Sequence, residues 1–149
     1  MRVTVVGGSV IPPAVEDTAE TLGREPARRD HTVVCGGLGG TMAAVCRGVR
    51  ELGGHTIGIL PTDRPSDANP YVVDPIATGL GHARNALVVM NGSAVIALPV
   101  GGGTLSEIGL GLAYGRPVAG LDTHDVDGVE PVDSPEEAVD YVEDALGRE

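Results

Sequence analysis

Ala94-Val95-Ile96-Ala97-Leu98-Pro99-Val100-Gly101-Gly102-Gly103-Thr104-Leu105-Ser106-Glu107 is the stretch that decides the fold. Its first five residues are all apolar, as in a strand buried on both faces. Three consecutive glycines follow, and then a segment with helical periodicity, 104–114, which Gly115 ends. Strand, glycine turn and helix make the half-unit of a parallel α/β sheet.

The same unit recurs on either side. The apolar runs 2–6 (RVTVV), 31–35 (HTVVC), 56–60 (TIGIL) and 117–121 read as strands, with a further short one at 71–73. The first two stop at Gly7-Gly8 and Gly36-Gly37. Helices are expected at 13–23, 41–52, 82–90 and 104–114, with Pro26 breaking or kinking the first. A last helix is announced by a capping box, Ser134 with Glu137, and by Pro135 at its first position. Residues 61–70, with three prolines, and 124–130, rich in acid, read as loops. The expectation is one Rossmann-like, doubly wound α/β domain over residues 1–149. Its sheet is mainly parallel, with six to seven strands and helices on both faces.

Composition narrows the function. The chain has 149 residues, three Tyr and neither Trp nor Phe, so the core is aliphatic and no ligand base stacks on a large aromatic ring. A net charge of −11 opposes nucleic acids and anionic membranes as partners. All ten basic residues are Arg. An acidic, Lys-free chain fits a salt-rich setting or a biased genome, and equally a plain need for solubility. Without Lys there is no P-loop lysine and no pyridoxal Schiff base. Cys35 and Cys46 form no CxxC pair and no Cys/His cluster, so they read as packed thiols, with no metal site expected. Met1 leads directly into an apolar strand and no apolar run reaches membrane length, which reads as a cytoplasmic protein without a leader.

In a doubly wound sheet ligands sit beyond the C-terminal strand ends, where the glycine clusters after the first, second and fifth strands fall. Gly101, Gly102 and Gly103 let the backbone turn its N–H groups toward an anion, and the following helix adds about half a positive charge. Thr104 adds a hydroxyl donor, so phosphate is the expected occupant. Gly36-Gly37-Leu38-Gly39-Gly40-Thr41 is a second such loop, but Met42 stands where a dinucleotide fingerprint needs its third glycine. Gly7-Gly8-Ser9 is a third. Gly8, Ser9, Gly37, Gly39, Gly40 and Asn85 are the expected pocket residues. Arg84, in the first turn of its helix, opposes the helix dipole and so calls for an anionic partner. Glu107 has two readings. It closes a capping box on Thr104, or it faces the ligand as an acid–base group.

Pro99-x-Gly101-x-Gly103-Thr104-x-x-Glu107 resembles the P-G-G-x-G-T-x-x-E signature of the Lonely Guy family, often labelled lysine decarboxylase-like. The family's second signature, M-H-E-R-K, is matched by Gly81-His82-Ala83-Arg84-Asn85, with 15 residues from the Arg to the Pro in both. Cys35–Met42 is similar to the family's G-G-G-x-x-G-x-M. The resemblance implies a homodimer or higher homo-oligomer that needs no cofactor. It also implies hydrolysis of the N-glycosidic bond of a nucleoside 5′-monophosphate, with Arg84 and Glu107 catalytic and Gly101–Thr104 holding the phosphate. Decarboxylation is not expected. Val100, Ser106, Ala83 and Asn85 depart from the signatures, and the Ala-Arg-Asn form looks like a sister branch that is molybdenum-cofactor-carrier-like. The alternative is therefore a non-catalytic carrier or sensor of a phosphorylated ligand, either a nucleotide or the molybdenum cofactor.

Overall fold

A computed structural model describes residues 1–99 and 102–147. The elements follow in the order β1 (Arg2–Val6), α1 (Pro13–Arg28), β2 (Thr32–Cys35), α2 (Thr41–Glu51), β3 (Thr56–Leu60), β4 (Asp74–Ala77), α3 (Asn85–Met90), β5 (Ala94–Ala97), α4 (Gly102–Ala113), β6 (Val118–Leu121), β7 (Val129–Val132) and α5 (Pro135–Ala145). Single 3₁₀ turns occur at Pro65–Asp67 and Gly81–Arg84. All seven strands are parallel, in the order β4-β3-β2-β1-β5-β6-β7. The chain winds outward from β1 to β4, then returns to the other side of β1 as β5. The strand order therefore switches between β1 and β5, and the ends of those strands open a crevice.

Alternation along β1 builds two cores. Val3 and Val5 pack with Leu22 of α1, Val45 and Val49 of α2, and Val139 and Val142 of α5. Val6 joins Val88 and Val89 of α3 and Ile108 of α4 on the opposite face. Thr4 is fully buried, and its hydroxyl donates to the Val88 carbonyl at 2.8 Å, so its burial costs little.

α1 continues through Pro26 to Arg28, where the sequence reading ended it near Gly23. Gly23 is not a stop signal. A Cβ there would lie 2.1 Å from the Val45 carbonyl oxygen, and one at Gly48 would lie 2.0 Å from that of Glu20. α1 and α2 cross backbone to backbone at these two glycines. Gly48→Ala must force the helices apart and is expected to cost about 3 kcal/mol. Gly39→Ala, which meets nothing within 4 Å, should be near neutral. Denaturant midpoints of the two variants test the crossing.

The two edge strands differ from the sequence reading. β4 lies at Asp74–Ala77 rather than 71–73, and β7 occupies ground read as the end of an acidic loop. Each carries an acidic residue followed by proline, Asp74-Pro75 and Glu130-Pro131, which weakens the apolar signal and guards the edge against pairing with another chain. Tyr71 and Val72 pack instead against Cys35, Met42 and Cys46. At α5, Ser134 caps as read, accepting the Glu137 N–H at 3.1 Å, while the Glu137 carboxylate reaches one residue further, to the Asp133 N–H at 2.8 Å.

Candidate functional site

Loops from three strand ends are laced together at the switch point. The Gly8 N–H donates to the Pro99 carbonyl at 3.3 Å, and the Thr41 N–H to the Gly8 carbonyl at 3.0 Å. Gly7 is required there, since a Cβ would sit 2.5 Å from the Thr41 hydroxyl oxygen. Above this lacing opens a cavity of about 450 Å³. Gly8 and Ser9 line one side, and Gly103, Thr104 and Glu107 of α4 line another. Arg84 and Asn85 reach it from the 3₁₀ turn before α3 and from the start of α3, Gly36 and Leu38 from the loop after β2, and Met42 from the first turn of α2.

α4 begins at Gly102, so the N–H groups of its first turn have no partner within the helix and the positive end of its dipole faces the cavity. Thr104 is buried beside them. Gly101, read as part of the phosphate loop, lies outside the described residues, as does Val100.

Arg84 is a buried cation, 9% exposed, at the N-cap of α3. One terminal nitrogen donates to the Asn85 side-chain oxygen, and the other lies 3.5 Å from the Gly36 carbonyl. Its Nε is buried and without a hydrogen-bond partner. Asn85 is fixed in turn, its Nδ2 donating to Ser106 Oγ on α4 at 3.2 Å. Burial pushes the Arg84 pKa down, while the charge of Glu107 opposes that shift.

Glu107 is 8% exposed. Burial pushes its carboxyl up to about 7, against the pull of the nearby Arg84 charge. A titratable carboxyl and a buried guanidinium with an unmet donor thus line one cavity beside a helix N-terminus. That arrangement can hold an anion and move a proton near neutral pH.

Of the expected pocket residues, the structure places Gly8, Ser9 and Asn85 on the cavity and Gly37, Gly39 and Gly40 off it. Gly37 (φ +79°) packs against Leu60, and Gly40 (φ +62°) against the Ser9 backbone. The left-handed backbone of Gly37 and Gly40 allows this close approach of chain to chain. The loop's true lining glycine is Gly36, where a Cβ would meet Arg84 Nη2 at 2.6 Å and Met42 Sδ at 2.7 Å. Its sequence signal was position, the first residue after the strand.

A second hollow of about 500 Å³ lies at the ends of β6 and β7. Asp122, Asp125 and Asp133 line it, the wrong sign for phosphate. Among the described residues no group of three or more His, Cys, Asp or Glu is placed to hold a metal ion, and no helix is long and apolar enough to cross a membrane.

The profile of the SLOG cluster4 family matches residues 1–146. A probable cytokinin riboside 5′-monophosphate phosphoribohydrolase of Oryza sativa is 38% identical over 62% of this chain, an alignment covering 42% of that relative. The chain thus spans less than half the length of that curated enzyme. The molybdenum cofactor binding protein of Rippkaea orientalis superposes with a TM-score of 0.92 at 30% identity, covering 97% of this chain and 96% of that one. The molybdenum cofactor carrier protein of Chlamydomonas reinhardtii superposes with a TM-score of 0.88 at 28% identity, covering 99% and 98%.

Proposed function

The chain belongs to the SLOG cluster4 family, and from that premise we propose that its switch-point cavity binds a nucleoside 5′-monophosphate and hydrolyses the N-glycosidic bond. The observation that carries the reading is that Arg84 and Glu107, both buried, line the same cavity. With its carboxyl raised by burial to about 7, Glu107 exchanges a proton near neutral pH. The 5′-phosphate sits at the N-terminus of α4, against the N–H groups of its first turn and the Thr104 hydroxyl. The Nε–H of Arg84 donates to the ligand. As the bond from C1′ to the base breaks, the base leaves with the electron pair and the sugar becomes positive. Glu107, ionised, stabilises that charge and takes a proton from the water that adds to C1′. Glu107 gives that proton up, the departing base nitrogen takes one in its place, and the products are free base and ribose 5-phosphate. The partial identity with a phosphoribohydrolase supports this chemistry.

The second reading is a carrier that holds a phosphorylated cofactor without turnover. The likeness to molybdenum cofactor binding and carrier proteins over nearly the whole chain favours it. The Arg84–Asn85–Ser106 linkage does so too, since two neutral side chains stand where the Lonely Guy signatures carry Lys and Glu.

Incubation with AMP and the other nucleoside monophosphates separates the two. Base released in proportion to enzyme supports hydrolysis. Calorimetric binding with no base at high enzyme concentration supports the carrier. Thr104→Ala is expected to weaken ribose 5-phosphate binding about tenfold under either reading, by loss of one hydrogen bond to a charged group. Unchanged affinity would move the phosphate away from α4. A homodimer goes with the reading. Val10 (90% exposed), Leu80 and Leu105 are exposed apolar side chains next to residues that line the cavity, and they suit a second copy. Light scattering of a monomer would remove that expectation.

A further inference from the structure

Cys35 ends β2 and Cys46 lies mid-way along α2. Both are free and fully buried, and their sulfurs are 3.5 Å apart. Two features go beyond what packing requires. The Gly37 N–H points at Cys35 Sγ from 3.4 Å, and the Arg84 guanidinium is near enough for its charge to act on that sulfur. An N–H donor and a cation do nothing for a packed apolar group, but both stabilise a thiolate. We propose that Cys35 and Cys46 are a redox-active dithiol that a hydroperoxide oxidises to an intramolecular disulfide beneath the cavity floor.

The two sulfurs have different roles. The Gly37 N–H is aimed at Cys35 Sγ at 3.4 Å, and the contact with Cys46, this N–H and the Arg84 charge draw the Cys35 thiol down against burial and the charge of Glu107. Cys46 is pushed far up by its neighbour and by burial. Cys35 is therefore the thiolate that attacks. Its sulfur displaces one oxygen of the peroxide bond, which leaves as water after taking a proton, and Cys35 becomes a sulfenic acid. The Cys46 sulfur then attacks Cys35 Sγ, the sulfenic hydroxyl leaves as a second water, and the disulfide forms. Two thiols are oxidised by two electrons, and one hydroperoxide is reduced. With hydrogen peroxide both products are water.

Gly36, the residue after Cys35, lines the cavity, and the Arg84 guanidinium and the Met42 sulfur close over it, so peroxide reaches Cys35 when those two side chains move. Closure brings the sulfurs from 3.5 Å to about 2.05 Å. That movement draws together α2, whose Met42 lines the cavity, and the strand end whose Gly36 carbonyl faces Arg84.

Hydrogen peroxide added to the folded protein, followed by alkylation in denaturant and intact-mass measurement, tests the proposal. The expected product has lost two hydrogens, resists alkylation, and regains both thiols with dithiothreitol. Cys46→Ser should halt at a Cys35 sulfenic acid trapped by dimedone, and Cys35→Ser should give no such adduct at the same dose. If Cys46→Ser does not fold, Cys46→Ala takes its place. Two thiols still open to alkylation after peroxide, a disulfide between chains, or equal trapping in both variants would overturn it. Oxidation of Met42 is told apart by a gained oxygen.

Discussion

Glu107→Gln is expected to lower base release by about a thousandfold while changing ribose 5-phosphate affinity by no more than about threefold. The substitution keeps shape and removes only the charge, and the charge matters once the sugar turns positive. The pH profile carries the same information. With Glu107 near 7, kcat/KM of the unaltered protein should rise about tenfold per pH unit up to about pH 7 and level off above. A carboxylate with its ordinary pKa would give a flat profile from about pH 6 upward. Stability offers an independent reading. The folded chain keeps the Glu107 proton up to about pH 7, whereas the unfolded chain releases it near 4.5. Stability from this group is therefore complete below the unfolded value and is lost as pH rises through 7. Glu107→Gln escapes that loss. Its melting temperature should gain on the unaltered protein between about pH 5 and pH 8, by up to about 3 kcal/mol in free energy. A constant gap across that range would show that the carboxyl is ionised throughout and that burial does not raise its pKa.

The central sheet was legible because each inner strand is a short, mostly aliphatic run, and β1, β2 and β5 lead into glycine loops. The edges were not. β4 and β7 each face solvent and carry an acidic residue followed by proline, so periodicity and propensity both argue against strand there. Arg84, Asn85, Thr104 and Glu107 meet at one cavity because their positions follow from two signals, strand ends and helix starts, that topology sends to one rim. Glycine in a sequence has two meanings, approach to a ligand and approach to another stretch of chain. Gly37 and Gly40 have the second meaning, and nothing in a single sequence separates it from the first. The same holds for Gly23, read as a helix end and found at a helix crossing. The contact of Cys35 with Cys46 depends on how closely α2 rides on β2, which Gly23 and Gly48 help set by admitting α1.

Arg84→Met is expected to weaken ribose 5-phosphate binding by at least about a hundredfold, through loss of a buried, charge-assisted donor. Met keeps the apolar stem and leaves Glu107 without its cation, so burial alone then acts on that carboxyl and its pKa rises beyond 7. The consequence for stability has a definite sign. Below about pH 6 Glu107 is neutral in the folded variant, no buried charge is left unpaired, and the loss should be small. As pH rises, the folded state resists ionisation that the unfolded chain accepts, and the loss should grow by up to about 1.4 kcal/mol per pH unit. Any base release that survives should show its rise displaced to higher pH. The double variant Arg84→Met with Glu107→Gln carries no charge at either position. It should regain most of the stability lost above pH 7, while phosphate binding stays weak. Were the double variant as unstable as Arg84→Met at alkaline pH, the cost would lie in the hydrogen bonds to Asn85 and Gly36 rather than in Glu107. The two residues would then be neighbours on a wall and not an electrostatic pair.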